Sequence, residues 1–295
     1  MNDRFSQLSL FARTAETGSF SKTAREFGLS QPSVSRAIAA LERRLGVALL
    51  SRTTRRVTAT DVGQALAASA REALAALDDA ESAARGADRL SGVLRVSLPT
   101  GFGARNVVPH LPGFLALQPD LRVELMMSDR FDDLIVEGAD LALRLGAQPD
   151  SAFLTRKLAS AQRLVVASPD YLRRRGVPAS VAELAAHDCL GGPGDADRAV
   201  WTFRRGDKLE TVALNVRVRT GSGAGLAACA AAGLGVAIAS TWMCGDELRD
   251  GRLTQILRDF ALDPVDAYVV FSSAQRPSRK ARAFSDYLSA ALRGA

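Results

Sequence analysis

Histidine and cysteine are scarce in this 295-residue chain, which has two of the former and three of the latter. Neither His110 nor His187 lies in an H-E-x-x-H run or beside a nucleophile motif, which argues against metal-assisted or triad hydrolysis. Cys189, Cys229 and Cys244 show no C-x-x-C spacing with histidines nearby. Neither a zinc site nor a disulfide framework is therefore indicated, and no cofactor or metal is expected. Free cysteine usually behaves as a small core residue, and that reading leads over a redox role for Cys229 or Cys244. Long apolar runs are missing too. The longest, near residues 225–239, is rich in Ala and Gly and too short to cross a bilayer, and Asp3 and Arg4 interrupt the N-terminus. A soluble, cytoplasmic protein with no membrane partner is expected.

What the chain does have is an uneven charge. Its formal net charge is +6, yet residues 1–60 hold ten Lys/Arg against four Asp/Glu, while residues 61–295 hold 28 of each sign. The whole excess sits in one small module, which is the electrostatic footprint of a polyanion partner. At this length, with 47% hydrophobic and 24% charged residues, about two or three globular domains fit.

Within that module Leu8, Phe11, Ala12 and Ala15 recur at helical spacing up to Gly18. A helix of about two turns follows, with Ser21 placed to cap it, Ala24 and Phe27 facing inward, and Gly28 able to close it in the left-handed conformation. Ser30 then caps a longer helix over residues 31–45, with Pro32 tolerated in the first turn. Val34, Ile38, Leu41 and Leu45 form its buried stripe, so Gln31, Ser33, Ser35, Arg36 and Ala40 face away. Short donors and acceptors on the first turns of a helix suit contact with base edges in a major groove. After Gly46, residues 49–58 place Arg52, Arg55 and Arg56 around a polar turn between β-branched residues, which reads as a hairpin wing. Such arginines contact phosphate or enter the minor groove, although any one of them alone could be a solvated surface charge.

Residues 5 to about 65 resemble the DNA-binding domain of LysR-type transcriptional regulators. The segments that carry the resemblance are residues 11–20 (FARTAETGSF), 21–45 (SKTAREFGLSQPSVSRAIAALERRL) and 49–63 (LLSRTTRRVTATDVG). The family usually has Leu-Phe where Leu49 and Leu50 stand and a larger apolar residue at Ala59, which implies a slightly looser wing. The resemblance implies that Gln31, Ser33 and Arg36 read base edges, with Arg52 and Arg55 on backbone or minor groove. Ser21, Ser35 and Arg56 complete the candidate DNA-contacting set.

From the cap Thr60, residues 61–85 contain no Pro and end at Gly86, so a helix of roughly 35 to 40 Å is expected. Gly63, Leu66, Ala70, Ala73, Leu77, Ala80 and Ala84 follow alternating spacings of three and four, the seam of a close-packed helix pair. The alternative is an amphipathic helix lying on its own domain. The resemblance favours a homo-oligomer, a dimer or tetramer, paired through this helix. Two joined modules match a two-half site, so the expected partner is double-stranded DNA carrying a symmetric, interrupted palindromic operator.

From Gly92 short β-rich runs alternate with helices, at 93–98, 121–127, 141–143, 164–167, 212–218, 236–239 and 267–271. Such alternation predicts an α/β architecture with mostly parallel sheets and ligand sites beyond the strand ends. The resemblance implies a periplasmic-binding-protein-like fold of two subdomains that senses a small-molecule effector. The expected division is residues 1–60 as the winged helix-turn-helix, 61–90 as linker and dimerisation helix, and 91–295 as effector-binding domain. Within the last, residues 91–162 and 266–295 make subdomain I and 163–265 subdomain II.

Two strand-to-helix turns, at residues 98–103 and 220–225, offer backbone N–H groups at helix starts and suit a carboxylate or similar anion. The resemblance places Pro99, Thr100, Gly101, Phe102, Ser128, Arg144, Thr220, Gly221 and Ser222 around the effector, an anionic or hydroxylated small molecule. Alternatively the Ser and Thr residues only cap helices, Arg144 pairs with Asp140, and Phe102 is core. Two rival classes remain: an NAD(P)-dependent enzyme using the turn from Gly221 to Gly225, and a transport binding protein. The first is weakened by a spacing that departs from G-x-G-x-x-G and by Ser240 where an acidic ribose ligand belongs. The second should carry an export signal and no basic helix-turn-helix.

Overall fold

Three helices and a short hairpin build the N-terminal module, each helix bounded by its own capping residues. The computed structural model describes residues 3–52, 57–84, 90–129, 138–146, 153–193, 200–272 and 277–293. Helix α1 (Arg4–Thr17) starts at Asp3, whose side chain accepts from Phe5 N, and stops at Gly18 in the left-handed region with φ 61°. Helix α2 (Phe20–Glu26) is capped by Ser19, and α3 (Gln31–Leu45) by Ser30, whose hydroxyl accepts from Ser33 N at 3.3 Å. Strands β1 (Leu50–Arg52) and β2 (Val57–Ala59) pair antiparallel. Phe11, Val34, Ile38, Leu41 and Leu49 are wholly buried at the centre, each burial worth roughly 1.5–3 kcal/mol.

Three expectations in this module need correction. Ser19, not Ser21, caps α2; Ser21 is exposed within its first turn. The inward face of α2 is Phe20, Thr23 and Ala24, at i, i+3 and i+4, while Phe27 lies past the helix end and is 44% exposed. Leu45, the last residue of α3 before the Gly46 cap, is 41% exposed rather than part of the buried stripe. Leu49 and Leu50 are both buried at the base of the wing.

Helix α4 (Asp61–Ala84) starts where Thr60 Oγ1 accepts from Gly63 N at 3.0 Å. It comes so close to the module that a Cβ on Gly63 would stand 2.1 Å from Leu49 O. Ala67 and Ala70 are buried against the same module, and Leu66 packs on its core. The first half of the expected seam, Gly63, Leu66 and Ala70, therefore serves the chain's own domain, and Ala73 and Ala80 are exposed. Glu16 of α1 stands near Arg71 of α4 at 3.5 Å and Arg95 of the following domain at 3.9 Å.

Two α/β lobes follow. The first begins with β3 (Gly92–Leu98), then α5 (Thr100–Phe102) running through a π turn (Gly103–Val107) and a 3-10 turn (Val108–His110) into α6 (Leu111–Leu117). Strands β4 (Leu121–Met127), β5 (Leu141–Leu145) and β6 (Thr155–Ala161) complete its first pass. The second lobe contains β7 (Arg163–Ala167), α7 (Pro169–Arg175), β8 (Asp188–Gly191), β9 (Val200–Arg205), β10 (Lys208–Ala213) and β11 (Asn215–Arg219). It continues with α8 (Gly223–Ala231), β12 (Ala237–Ser240), α9 (Thr241–Arg249) and β13 (Thr254–Ile256). The chain then returns to the first lobe with β14 (Val265–Phe271) and α10 (Arg279–Arg293).

The first lobe's sheet has the order β4-β3-β5-β14-β6, and the second has β12-β7-β13 with the parallel pair β8 and β11 beside it. The sheets are mixed, not mostly parallel. Strands β4, β3 and β5 run parallel, but β14 is antiparallel to both its neighbours, and β7 is antiparallel to both of its own. Strand β14, returning from the second lobe, enters between β5 and β6 in the opposite sense to both, and β7, reached directly from β6 through Gln162, lies between two antiparallel partners. The extended run expected at 212–218 also splits at Leu214 into two strands with different partners. The first core gathers Leu94, Val96, Leu98, Phe102, Phe114 and Phe284, and the second Tyr171, Trp201, Phe203 and Val236.

Candidate nucleic-acid interface and effector cleft

The start of α3 presents polar side chains to solvent on the basic module. Gln31 and Arg36 are exposed, Ser33 and Ser35 half-buried, and Val34 and Ile38 between them wholly buried. A rigid apolar stripe thus orients the outward side chains, as groove reading requires. Ser30 and Ser33 share a 2.8 Å hydroxyl contact, and Arg36 Nε lies 3.4 Å from Pro32 O on its own helix. The wing is anchored by Glu42, whose Oε1 accepts from Leu49 N at 2.8 Å and Leu50 N at 3.1 Å. Glu42 escaped the reading of the sequence because it faces a segment seven residues on, beyond the helix end. Arg52 ends β1, with its side chain outside the described residues, and Arg55 and Arg56 lie outside them altogether.

Behind this face the module is stiffened by paired polar groups. Arg13 grips Glu26 through Nε at 2.5 Å and Nη2 at 2.9 Å, and reaches Glu16 at 2.8 Å. The Arg13 hydrogen bond holds the Glu26 carboxyl below the ordinary range against the opposing cost of burial. The hydroxyls of Thr14 and Thr23, both wholly buried, satisfy each other at 3.2 Å, and Thr14 also donates to Leu10 O at 2.7 Å.

In the first lobe several candidate effector residues converge at the carboxyl ends of β3, β4 and β5. Ser128 N donates to Leu98 O at 3.0 Å, and Arg144, only 8% exposed, donates to Ser97 Oγ at 3.2 Å and Leu143 O at 3.1 Å. Asp140 accepts from Arg95 N at 2.8 Å and approaches Lys280 at 3.5 Å. From the second lobe, the turn at 220–225 follows β11, and Thr220 N donates to Gly191 O at 3.0 Å. The two turns meet directly, since a Cβ on Gly101 would stand 2.7 Å from Ala224 Cβ.

The expected free amides at these turns are partly taken. Thr100 N donates to Asp129 Oδ1 at 2.9 Å, Ser222 N to Thr220 Oγ1 at 3.1 Å, and Gly225 N to Ser222 Oγ at 3.4 Å. Short polar side chains in turns bond nearby amides, and here they do so at three positions. Phe102 is 1% exposed and belongs to the core, so its side chain offers no platform to a ligand. Pro99 and Thr100 remain accessible, as does Gly221.

Two of the three thiols are buried. Burial pushes Cys189 up to about 12 and Cys244 up to about 11, away from the reactive thiolate, while Cys229 is half-buried. Among the described residues no cluster of His, Cys, Asp and Glu is suited to a metal ion, and no helix is long and apolar enough to cross a membrane.

A basic winged helix-turn-helix joined to a two-lobed α/β domain defines a DNA-binding regulator with a sensing half. Residues 5–64 match the family model of the bacterial regulatory helix-turn-helix protein, lysR family, and residues 87–293 that of the LysR substrate binding domain. The chain is 31% identical over 289 residues to the HTH-type transcriptional regulator DmlR of Escherichia coli, covering 95% of this chain and 92% of that one. It is 32% identical over 284 residues to the HTH-type transcriptional regulator PtxR of Pseudomonas aeruginosa, covering 95% and 90%. Among solved structures, CrgA, a LysR-type regulator of Neisseria meningitidis, superposes with a TM-score of 0.63 at 29% identity over 97% of this chain and 98% of that one. The Vibrio cholerae virulence activator AphB gives 0.59 at 29% over the same shares. The chain belongs to the LysR-type transcriptional regulators, which bind DNA through the helix-turn-helix and an effector through the second domain. The family is one of regulators and not of enzymes, which removes the nicotinamide-dependent alternative.

Proposed function

We propose that this regulator reads an interrupted palindromic operator as a symmetric homodimer or a tetramer of two such dimers. Gln31, Ser33, Ser35 and Arg36 meet base edges, Ser21 and the wing residues Arg52, Arg55 and Arg56 meet the sugar-phosphate backbone or the minor groove, and the work is done in the cytoplasm. The effector is a small molecule with anionic or hydroxyl groups, held between the lobes by Thr100, Ser128, Arg144, Thr220 and Ser222 and by the backbone at Pro99, Gly101 and Gly221. Phe102 backs this cleft from the core. Because Asp129 already occupies the Thr100 amide, an anionic group belongs towards Arg144. Effector binding favours one lobe arrangement, and the change passes through α4 and the Arg71, Glu16 and Arg95 group to the DNA-binding module.

The observation that carries this reading is the open first turn of α3 on the module that holds the whole net positive charge. Titrating the protein against its own promoter duplex and a scrambled duplex tests it. Arg36→Ala should cost about 1–3 kcal/mol on the promoter and little on the scramble. Equal losses on both would remove Arg36 as a reader, and no promoter preference in the unaltered chain would end the operator proposal.

A further inference from the structure

Helix α9 is counted with the second lobe by sequence, yet it is built into both. Met243 is 5% exposed in the core of the first lobe, and its neighbour Cys244 is wholly buried in that of the second. At the start of α9, Thr241 N donates to the crossing residue Gln162 O at 2.9 Å. One residue on, Trp242 packs edge-on against Phe102 of the first lobe, with centroids 5.2 Å apart and planes at 69°. Its carbonyl accepts from Asn106 Nδ2 at 3.2 Å.

The far end is held by an ion pair. Arg105 donates through Nη1 to Glu247 Oε2 at 2.8 Å and through Nη2 to Oε1 at 2.7 Å, and Nη1 also reaches Met243 O at 2.5 Å. Glu247 is 3% exposed, so this carboxylate is removed from water and relies on its cationic partners, Arg105 by hydrogen bonds and Arg252 at 3.7 Å. Both Arg105 and Asn106 come from the π turn Gly103–Val107, a rare widened geometry that recurs where a helix is shaped for a role.

We infer that α9 is a fixed joint between the lobes, and that Arg105 and Glu247 are its positioning residues. They set the interlobe angle at which the effector cleft is presented, so effector signals turn about this joint and do not swing the lobes freely apart. The inference rests on the effector-cleft reading above for its purpose, but its geometry can be tested without effector or DNA.

The test uses the full chain with spin labels on Arg122→Cys and Lys208→Cys, exposed positions on opposite lobes, in a Cys229→Ser background diluted with unlabelled protein. The label-to-label distance should form one narrow distribution. Arg105→Ala and Glu247→Gln should broaden or shift it, Arg105→Lys should recover part of the width, and Asn106→Ala should act in the same direction but less. Promoter affinity should change about five- to tenfold in the first two variants. An unchanged distribution in Glu247→Gln and Asn106→Ala overturns the joint, including where Arg105→Ala fails to fold. Narrow, joint-dependent distances in a chain that ignores promoter DNA would uphold the joint and sink the operator reading.

Discussion

The recognition face and the effector cleft treat their polar groups in opposite ways. At the start of α3 the side chains of Gln31 and Arg36 stand in solvent over a wholly buried stripe, whereas in the cleft Thr100 N, Ser222 N and Gly225 N are bonded to the chain's own side chains. The first arrangement holds exposed long side chains over a fixed apolar base. In the second, a ligand gains only the difference between its contacts and the internal ones it replaces, which suits a switch.

The largest expected break in this comparison is Leu41→Ala. Removing a wholly buried side chain from under the recognition helix should cost about 2–5 kcal/mol of module stability, measured by denaturant unfolding, and depress operator binding. A helix that still binds the operator normally would show that the stripe does not orient the face. Ser30→Ala comes next, at about 1 kcal/mol, since it removes the cap of α3 beside the proposed base-reading turn.

A smaller effect belongs to the second lobe. His187, 7% exposed, lies 3.1 Å through Nδ1 from the Tyr171 hydroxyl, which itself accepts from Asp188 N at 2.9 Å. Burial, helped by the charge of Arg175, lowers the His187 pKa. The unfolded chain therefore binds the proton more readily, so this stability is complete above the ordinary value of about 6.5 and declines as pH falls through the window below it. Thermal unfolding of His187→Gln should show a shallower loss on acidification than the unaltered chain, and identical slopes would discount the histidine. Least affected should be Thr100→Val combined with Ser222→Ala, which should leave operator affinity in the absence of effector within about 0.5 kcal/mol. A large loss there would erase the distinction between the two regions.

Much of the DNA-binding module was legible in the residues. The span of α3, its Ser30 cap, the stripe of Val34, Ile38 and Leu41, and the left-handed turn at Gly28 all follow from local chemistry and helical spacing. The errors there were also local, at Ser21, Phe27 and Leu45, where a shift of cap or helix end changed which face a side chain took. In the sensing half the strands around residues 93, 121, 164 and 267 were readable from β-rich runs, but the mixed sheets were not. Their directions depend on the crossings between lobes, which leave no periodic mark.

What the sequence by itself determined is the three helices and wing of the basic module, several strands of the sensing half and where the positive charge concentrates, because capping, periodicity and charge act between near neighbours in the chain. Only the tertiary structure decided that Gly63 presses α4 onto its own module, that Asp129 takes the Thr100 amide, and that Arg105 finds Glu247 142 positions away. Contacts of that kind depend on how whole elements pack, and no single segment encodes its distant partner.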